Sequence, residues 1–225
     1  MSAVSVEPAT QAASGLSVRP LQPADVASVA QLHAQELREG LLARLGPGFL
    51  SRFYYRRVPA WPSGFCLVAD FRGEVAGFVS ATSDWQGLFG QVARRYRGEL
   101  AVVVSTELLR HPGMLPVVGE AWRFLRTAPQ LPEDAPGEIL SLAVAPAFRT
   151  LEFARRTGVR VGAMLGTAAL RRLAEMGVGR VRALVRADNT MANILYQHLG
   201  FAAHGDIAVF GGRSVLYLRD LAARA

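Results

Sequence analysis

The sequence contains no lysine, so all 25 of its basic side chains are arginine. Set against 18 acidic residues, they give a formal net charge of +7. Arginine stays charged at physiological pH, and its planar guanidinium makes bidentate hydrogen bonds to phosphate oxygens. Genome composition is the simplest source of this bias. A basic surface nevertheless favours an anionic partner, such as a phosphorylated cofactor, nucleic acid or an acidic lipid.

Cysteine is nearly absent as well, because the chain has only Cys66, and an internal disulfide is excluded. Cys66 lies in the apolar run 65–69, which predicts a buried thiol rather than a nucleophile. The four histidines are scattered without metal-ligand spacing, so we expect no metal site. No Cys/His or Ser/His arrangement typical of covalent catalysis is recognisable.

Long apolar runs are also missing. No stretch approaches the ~20 residues that cross a bilayer, so we expect no membrane span. Residues 1–15 are rich in Ala and Ser and lack the order of a signal peptide, which predicts a disordered tail and a cytoplasmic protein. With 51% hydrophobic residues, the chain can bury a core, and 16–221 suits a single domain.

The hydrophobic pattern alternates between strand and helix periods. It predicts, in chain order, a strand at 16–21, helices at about 23–42 and 49–55, strands at 65–71 and 74–82, a strand at 138–144, a helix at 161–176, a strand at 180–186, a helix at 190–199, and strands at 202–210 and 214–218. Gly46-Pro47-Gly48 is expected to break the early helices. Residues 84–136 indicate a helical insertion between the third and fourth strands. The order predicts a mixed α/β sheet.

Two stretches have features typical of a binding or catalytic site. In the first, the strand ending at Pro146 leads through a glycine-containing loop to a helix near Val161, and such a helix start binds anions. The glycines would let the backbone approach a diphosphate, although they are also ordinary turn residues. In the second, Asp188 or Asn189 caps a short helix carrying Tyr196. That tyrosine either is an ordinary amphipathic residue or reaches into a cleft as a proton donor.

Together these stretches resemble the GNAT superfamily of N-acetyltransferases. The match covers about 138–201 well, and the first strand, early helices and hairpin follow in the same order. Asn189, Ala192, Tyr196, Gly200 and Phe201 match the family pattern Asn-x-x-Ala-x-x-x-Tyr-x-x-x-Gly-Phe. Val144-x-Pro146 with Arg149 matches the end of the cofactor strand.

The resemblance implies an acetyl-CoA-dependent N-acetyltransferase acting directly on a primary amine of a small molecule or an exposed protein amine. Glu138 would deprotonate the amine, often through water, and Tyr196 would protonate the coenzyme A thiolate. Coenzyme A would contact the main chain of Leu142, Ala143 and Val144, the amides of Gly158, Val159, Arg160, Val161, Gly162 and Ala163, and the side chains of Asn189 and, more weakly, Asn193. An amide at the strand end, such as that of Val144, would stabilise the oxyanion.

The diphosphate loop departs from the family pattern. Residues 150–157 separate Arg149 from Gly158, and Arg160 occupies the position of the middle glycine. Two interpretations follow. Arg155, Arg156 or Arg160 adds phosphate contacts that offset the poorer backbone fit. Alternatively, the chain is a catalytically degenerate GNAT-fold module that binds an acyl-CoA or a protein partner.

The remaining hypotheses concern the insertion and the net charge. The aromatic residues of the insertion either line the acceptor pocket or form a satellite core or a homodimer contact; they are Trp85, Phe89, Tyr96, Trp122 and Phe124. Two arginines follow three aromatic residues at 53–57, which is the best feature of a nucleic-acid-binding protein. Because no recognisable nucleic-acid motif accompanies it, we expect no nucleic-acid partner.

Overall fold

The computed structural model of the protein describes residues 15–127, 134–209 and 212–221. The strands are β1 (Leu16–Pro20), β2 (Gly64–Phe71), β3 (Glu74–Thr82), β4 (Gly137–Val144), β5 (Arg180–Arg186), β6 (Ala202–Val209) and β7 (Gly212–Asp220). The α-helices are α1 (Val26–Glu36), α2 (Leu41–Arg44), α3 (Gly46–Phe49), α4 (Tyr55–Arg57), α5 (Trp85–Arg95), α6 (Arg97–Arg110), α7 (Leu115–Thr127), α8 (Leu151–Thr157), α9 (Val161–Glu175) and α10 (Thr190–His198). A π-helix spans Leu50–Tyr54, and 3-10 turns span Pro23–Asp25, Pro112–Met114 and Pro146–Phe148.

The strands form one seven-stranded sheet in the order β1-β2-β3-β4-β5-β7-β6. Neighbouring strands are antiparallel except β4 and β5, which are parallel. The helix α9 makes the crossover between these two strands, as a parallel pair requires. The predicted mixed α/β sheet is therefore confirmed, with a helical insertion between its third and fourth strands.

Most predicted elements appear within a few residues of their expected ends. The β2–β3 hairpin turns at Arg72 and Gly73, whose φ angles are 57° and 87°. Positive φ at both central residues matches the right-handed twist of the strands and fixes their register. The strand predicted at 180–186 has those bounds in the structure.

Gly46-Pro47-Gly48 interrupts the helices as predicted, because α2 ends at Arg44 and Gly46 has a positive φ (86°). The same residues also begin α3, with Pro47 in the first turn where its missing amide hydrogen costs little. One predicted irregular segment is helical instead. The segment 150–157, expected as a loop, forms α8. Thr150 caps α8 by accepting from the Phe153 amide, and Gly158 ends it in the left-handed conformation (φ 70°).

The sheet separates two hydrophobic cores. Side chains of α9 and α10, such as Leu165 and Tyr196, pack on one face. The other face is covered by α1, the π-helix and the insertion, with Val29, Leu50 and Leu88 in its core. We refer to these as the α9 face and the α1 face. Burial of both faces explains why β3 is apolar over nearly its whole length.

The insertion begins and ends at one place on the sheet. The Trp85 amide donates a hydrogen bond to the Pro136 carbonyl (3.1 Å). Asp84 caps α5 by accepting from the Gly87 amide (2.8 Å). Leu88 and Val92 of α5 then join the core of the α1 face. The insertion is thus anchored beside the ends of β3 and β4.

Some sequence predictions fall outside the described residues. These are the tail at 1–15 apart from Gly15, the Phe124 side chain and the final hairpin's turn around Gly211. Cys66 is buried as predicted, at 3% exposure. No helix in the described ranges is long and apolar enough to cross a membrane. The same ranges contain no group of three or more His, Cys, Asp or Glu residues arranged to hold a metal ion.

Candidate active site

The parallel strands β4 and β5 pair only at their beginnings. Their register partners are Gly137 with Val181, Glu138 with Arg182 and Ile139 with Ala183. Both strands then continue, β4 to Val144 and β5 to Arg186, without pairing to each other. The edge of β4 that faces β5 is consequently open along its second half. An extended chain with amide groups can add to such an edge as if it were a strand.

A β-bulge lies where the two strands separate. On its other edge β4 pairs with β3, where Ser80 opposes Ser141 and Ala81 opposes Ile139, so that Leu140 has no opposite residue. A bulge of this kind bends its strand and redirects main-chain groups. It bends β4 at the point where pairing with β5 ends. The sequence pattern gave no sign of this irregularity.

The first turn of α9 exposes main-chain donors beside the open edge of β4. In the described part of the chain, the amides of Val161, Gly162 and Ala163 have no acceptor, and no side chain caps the helix. A β-carbon built on Gly162 would lie 3.7 Å from Val144 Cγ2, so the helix start adjoins the end of β4. Free amides at the positive end of a helix dipole form a site for an anion.

Glu138 forms an ion pair with Arg182 at the base of the opening. The carboxylate oxygen Oε2 accepts from Arg182 Nη2 (2.6 Å) and Nε (3.0 Å). The Arg182 guanidinium lies under the Trp85 ring, 3.3 Å from its centroid. Burial raises the pKa of Glu138 above its usual range, against the lowering influence of Arg182. The carboxylate is thereby a better proton acceptor than an exposed glutamate.

The Tyr196 side chain is buried in the core of the α9 face, at 6% exposure. Its ring packs edge-on against Phe201 (5.2 Å between centroids) and stacks on Tyr217 (6.0 Å). Burial raises the pKa of the Tyr196 phenol, and the charge of Glu138 adds to this effect. The phenol therefore keeps its proton at neutral pH and lies within electrostatic reach of Glu138.

Comparison with known proteins identifies the fold. No protein-family model matches the sequence, and no curated protein matches it significantly. Many solved structures match, among them the following three, which align over nearly the whole chain. SsHAT is 23% identical, covering 92% of this chain and 98% of its own, with a TM-score of 0.61. The GNAT-family acetyltransferase from Streptococcus pneumoniae is 16% identical (92% and 99% covered, TM-score 0.54). NAA60 from Arabidopsis thaliana, in complex with acetyl-CoA, is 14% identical (92% and 98% covered, TM-score 0.53).

This chain has the GNAT acetyltransferase fold. The separated parallel strands, the bulge at Leu140 and the start of α9 are parts of that fold in this molecule. At these identities the likeness establishes architecture, and the chemistry has to be argued from the residues themselves.

Within the GNAT fold, the predicted diphosphate loop is shorter than the sequence suggests. The Gly158 amide donates to the Ala154 carbonyl (2.9 Å), and the Val159 amide donates to Thr157 Oγ1 (3.3 Å). Both predicted contacts therefore already have internal acceptors, because α8 ends there. The amides that remain available begin at Arg160.

The arginines near this loop differ in their surroundings. Arg149 pairs with Glu36 of α1 (2.5 Å). The Arg156 guanidinium lies over the Phe153 ring, 5.6 Å from its centroid. Arg155 and Arg160 are exposed, and Arg160 directly precedes α9. Arg160 is thus the arginine best placed for an anion at the helix start.

The two predicted asparagines have structural hydrogen bonds. Asn189 caps α10, its Oδ1 accepting from the Ala192 amide (3.1 Å), which confirms the predicted cap. Asn193 Nδ2 donates to the carbonyls of Arg186 (3.0 Å) and Asn189 (2.8 Å), while its Oδ1 accepts from Tyr217 Oη (3.0 Å). Asn193 therefore fixes the end of β5 to α10. Its predicted cofactor contact remains a prediction, as does that of Asn189.

Sequence reasoning missed Arg182. A charged residue in the apolar strand Val181–Val185 was the available signal, but strand alternation alone places an arginine on a solvated face as readily as on a buried one. In the structure its side chain is 2% exposed. Tyr54 and Ser80 were missed too, and both are buried on the same face of the sheet.

Of the aromatic residues suggested for the acceptor pocket, Trp85 adjoins Glu138 through Arg182, whereas Trp122 is 59% exposed.

Proposed function

We propose that the chain is an acetyl-CoA-dependent N-acetyltransferase that transfers the acetyl group directly to a primary amine of a small molecule or an exposed protein amine. The observation that carries this proposal is the open edge of β4 after Ile139. The pantetheine arm of coenzyme A contains amide groups. Its hydrogen bonds suit those main-chain groups of Leu142, Ala143 and Val144 that point away from β3, with which these residues pair on the other edge. An opening without a ligand would leave these buried main-chain groups without partners.

The start of α9 supports the same assignment. An arm lying along β4 toward Val144 would bring its diphosphate to the free amides of Val161, Gly162 and Ala163. Gly162 has no side chain to obstruct that approach. Arg160 adds a cationic side chain at the same place, which favours the first interpretation of the altered loop over loss of binding.

Two side chains supply the proton transfers. An alkylamine is protonated near neutral pH and must lose a proton before it attacks a thioester. Glu138 accepts this proton, directly or through water, and its raised pKa suits the task. Tyr196 protonates the departing thiolate. A main-chain amide at the open edge of β4 stabilises the oxyanion. No covalent enzyme intermediate is required.

Binding and turnover test the proposal separately. Titration calorimetry should show acetyl-CoA binding at micromolar concentrations, and thiol release from acetyl-CoA should depend on an added amine. A panel of amino acids, polyamines, aminoglycosides and peptides covers the main acceptor classes. If millimolar acetyl-CoA gives no heat of binding and no amine releases thiol, the assignment is wrong.

A second candidate is a non-catalytic module that binds an acyl-CoA or a protein partner. The burial of the Tyr196 ring between Phe201 and Tyr217 favours it, because this packing alone accounts for a tyrosine at that position without a role in proton transfer. Tight acetyl-CoA binding without thiol release for any amine would support this candidate. Amine-dependent release would exclude it.

A further inference from the structure

Four buried side-chain groups around Glu138 make no hydrogen bond of good geometry to a described residue: Tyr54 Oη, Ser80 Oγ, Trp85 Nε1 and Arg182 Nη1. The Tyr54 and Ser80 hydroxyls lie close enough to act on each other, so the donors that lack any partner are Trp85 Nε1 and Arg182 Nη1. Their residues are between 0% and 9% exposed. Buried polar groups are nearly always satisfied, and a cluster of unmet donors implies that something with acceptor atoms belongs among them.

These groups lie on one face of the sheet. Ser80 alternates with Val79 and Ala81, which belong to the α9 face, so it points to the α1 face together with Tyr54. The Trp85 side chain packs with Leu216 and Leu218 of β7. Tyr217, between them in the strand, belongs to the α9 face, so Trp85 lies on the opposite side of the sheet, with Ser80 and Tyr54.

Glu138 connects the members of the cluster. It pairs with Arg182, which lies under Trp85. Burial raises the pKa of the Tyr54 phenol, the Ser80 hydroxyl counteracts this, and the charge of Glu138 adds to it. The unmet donors therefore surround the proposed base.

Charge balance during the reaction indicates what the missing partner is. Among the described residues, Glu138 is the charged group whose attraction acts on Arg182. When Glu138 takes a proton from the acceptor amine, Arg182 becomes a buried cation without a counterion. An uncompensated buried charge is strongly unfavourable. A second anion beside Arg182 would remove this cost, and an acceptor that carries a negatively charged group near its amine would bring one.

We propose, on the basis of the proposed function, that the acceptor is an amino acid whose carboxylate lies close to its primary amine. The carboxylate accepts from Arg182 Nη1 and Trp85 Nε1, while the amine faces Oε1 of Glu138, which has no hydrogen bond from the described residues. The amine gives its proton to Glu138 and forms a bond to the acetyl carbon. The carbon–sulfur bond breaks, and the sulfur takes a proton from Tyr196. The nitrogen loses its second proton as the amide forms, and this proton, carried by water, restores the Tyr196 phenol.

This arrangement preserves charge pairing throughout. Before proton transfer, the ammonium pairs with Glu138, and the carboxylate pairs with Arg182. Afterwards, Glu138 and the amine are neutral, and the carboxylate still compensates Arg182. A simple alkylamine has no carboxylate to pair with Arg182. An amino-acid amide offers Arg182 only a neutral oxygen. The acceptor carboxylate is therefore a determinant of specificity.

Matched acceptors test the proposal on the full-length protein. Each amino acid is assayed beside its amide and the amine left when the carboxylate is removed, for example phenylalanine, phenylalaninamide and phenethylamine. Acetyl-CoA is held constant, and released thiol is measured. For at least one side chain, we expect kcat/KM for the amino acid to exceed that of both analogues by roughly 100-fold, as in sites built to bond a polar group.

Two tryptophan variants locate the effect. Trp85→Phe keeps a ring above Arg182 but removes the indole N–H. It should raise KM for the amino acid about tenfold and leave KM for the decarboxylated amine unchanged. Trp122→Phe makes the same change on the exposed surface of the insertion and should alter neither constant.

The possible outcomes distinguish failure of the carboxylate inference from failure of the proposed function. Amides or amines acetylated as well as their amino acids, in every matched set, would overturn the carboxylate inference while leaving acetyl transfer intact. A Trp85→Phe variant that changes KM equally for both acceptors would do the same. Absence of thiol release with every acceptor would instead overturn the proposed function, and this inference with it.

Discussion

Glu138 and Arg182 are register partners on β4 and β5, and both hydrogen bonds between them end on one carboxylate oxygen, Oε2. The other oxygen, Oε1, is left without a donor from the described residues. The pair closes the base of the opening between the strands, one residue before pairing ends. A carboxylate held in this way has a fixed orientation and a lone pair available for a proton.

Glu138→Gln should lower kcat by about 10²- to 10⁴-fold, the usual contribution of general base catalysis. The base is active when ionised, and burial raises its pKa. The kcat of the parent protein should therefore rise with pH through a value above that of an ordinary glutamate. The variant should lose this dependence. Initial rates between pH 5 and 9 measure both effects.

Stability has to be separated from catalysis at this pair, because Glu138→Gln leaves Arg182 buried without a counterion. We expect a loss of about 3–5 kcal/mol in the free energy of unfolding. The double variant Glu138→Gln/Arg182→Met should regain most of it in denaturant titrations without regaining the rate. Recovery of the rate together with stability would exclude Glu138 as the base.

Tyr196→Phe should reduce turnover by roughly 10- to 1,000-fold with little change in acetyl-CoA affinity, because only the donated proton is lost. The Tyr196 hydroxyl makes no hydrogen bond within the described chain, so stability should change little. Tyr217→Phe is the matched control. It removes the hydrogen bond to Asn193 and should cost about 0.5–1.5 kcal/mol of stability with a much smaller effect on rate. An unchanged rate in Tyr196→Phe would remove this phenol from the mechanism.

Gly162→Ala should weaken acetyl-CoA binding on the order of tenfold, because glycine permits close approach of a diphosphate to the backbone. The added β-carbon would lie 3.4 Å from Leu195 Cδ2, an ordinary contact, so the melting temperature should not fall. Gly119→Ala, in an open position on α7, should leave binding unchanged and slightly raise stability. Equal affinities for both variants would place the diphosphate elsewhere.

Arg160→Ser should weaken acetyl-CoA binding about 3- to 10-fold, as expected for one exposed charge-assisted contact. The loss should shrink as salt increases, because salt screens exposed charges. Arg97→Ser, at the start of α6 in the insertion, is the control for net charge alone. Calorimetry at two ionic strengths would show whether Arg160 acts specifically or whether both variants weaken binding alike.

The fold was predictable because its elements have strong local signals. The turn at Arg72-Gly73, the strand at 180–186 and the asparagine cap at 189 each follow from a few neighbouring residues. The helix α8 was missed because its seven residues are too few to show a clear helical period.

The candidate site was predictable only where its residues lie in the motif. Glu138 and Tyr196 came from the resemblance, whereas Arg182 and Ser80 depend on which strands adjoin and which face each side chain takes. The bulge at Leu140 is likewise a property of strand register, which local sequence does not specify. The Gly158 and Val159 amides donate to internal acceptors because helix α8 ends there, and the sequence did not predict that helix.

The hydrogen bond between Trp85 and Pro136 bears on how new specificities could arise on this scaffold. Since more than fifty residues leave and rejoin the sheet at adjacent positions, that stretch could be exchanged for another without altering strand order, provided that the replacement also covers the α1 face. Such exchanges would change which nucleophiles are admitted while conserving how the donor molecule is held.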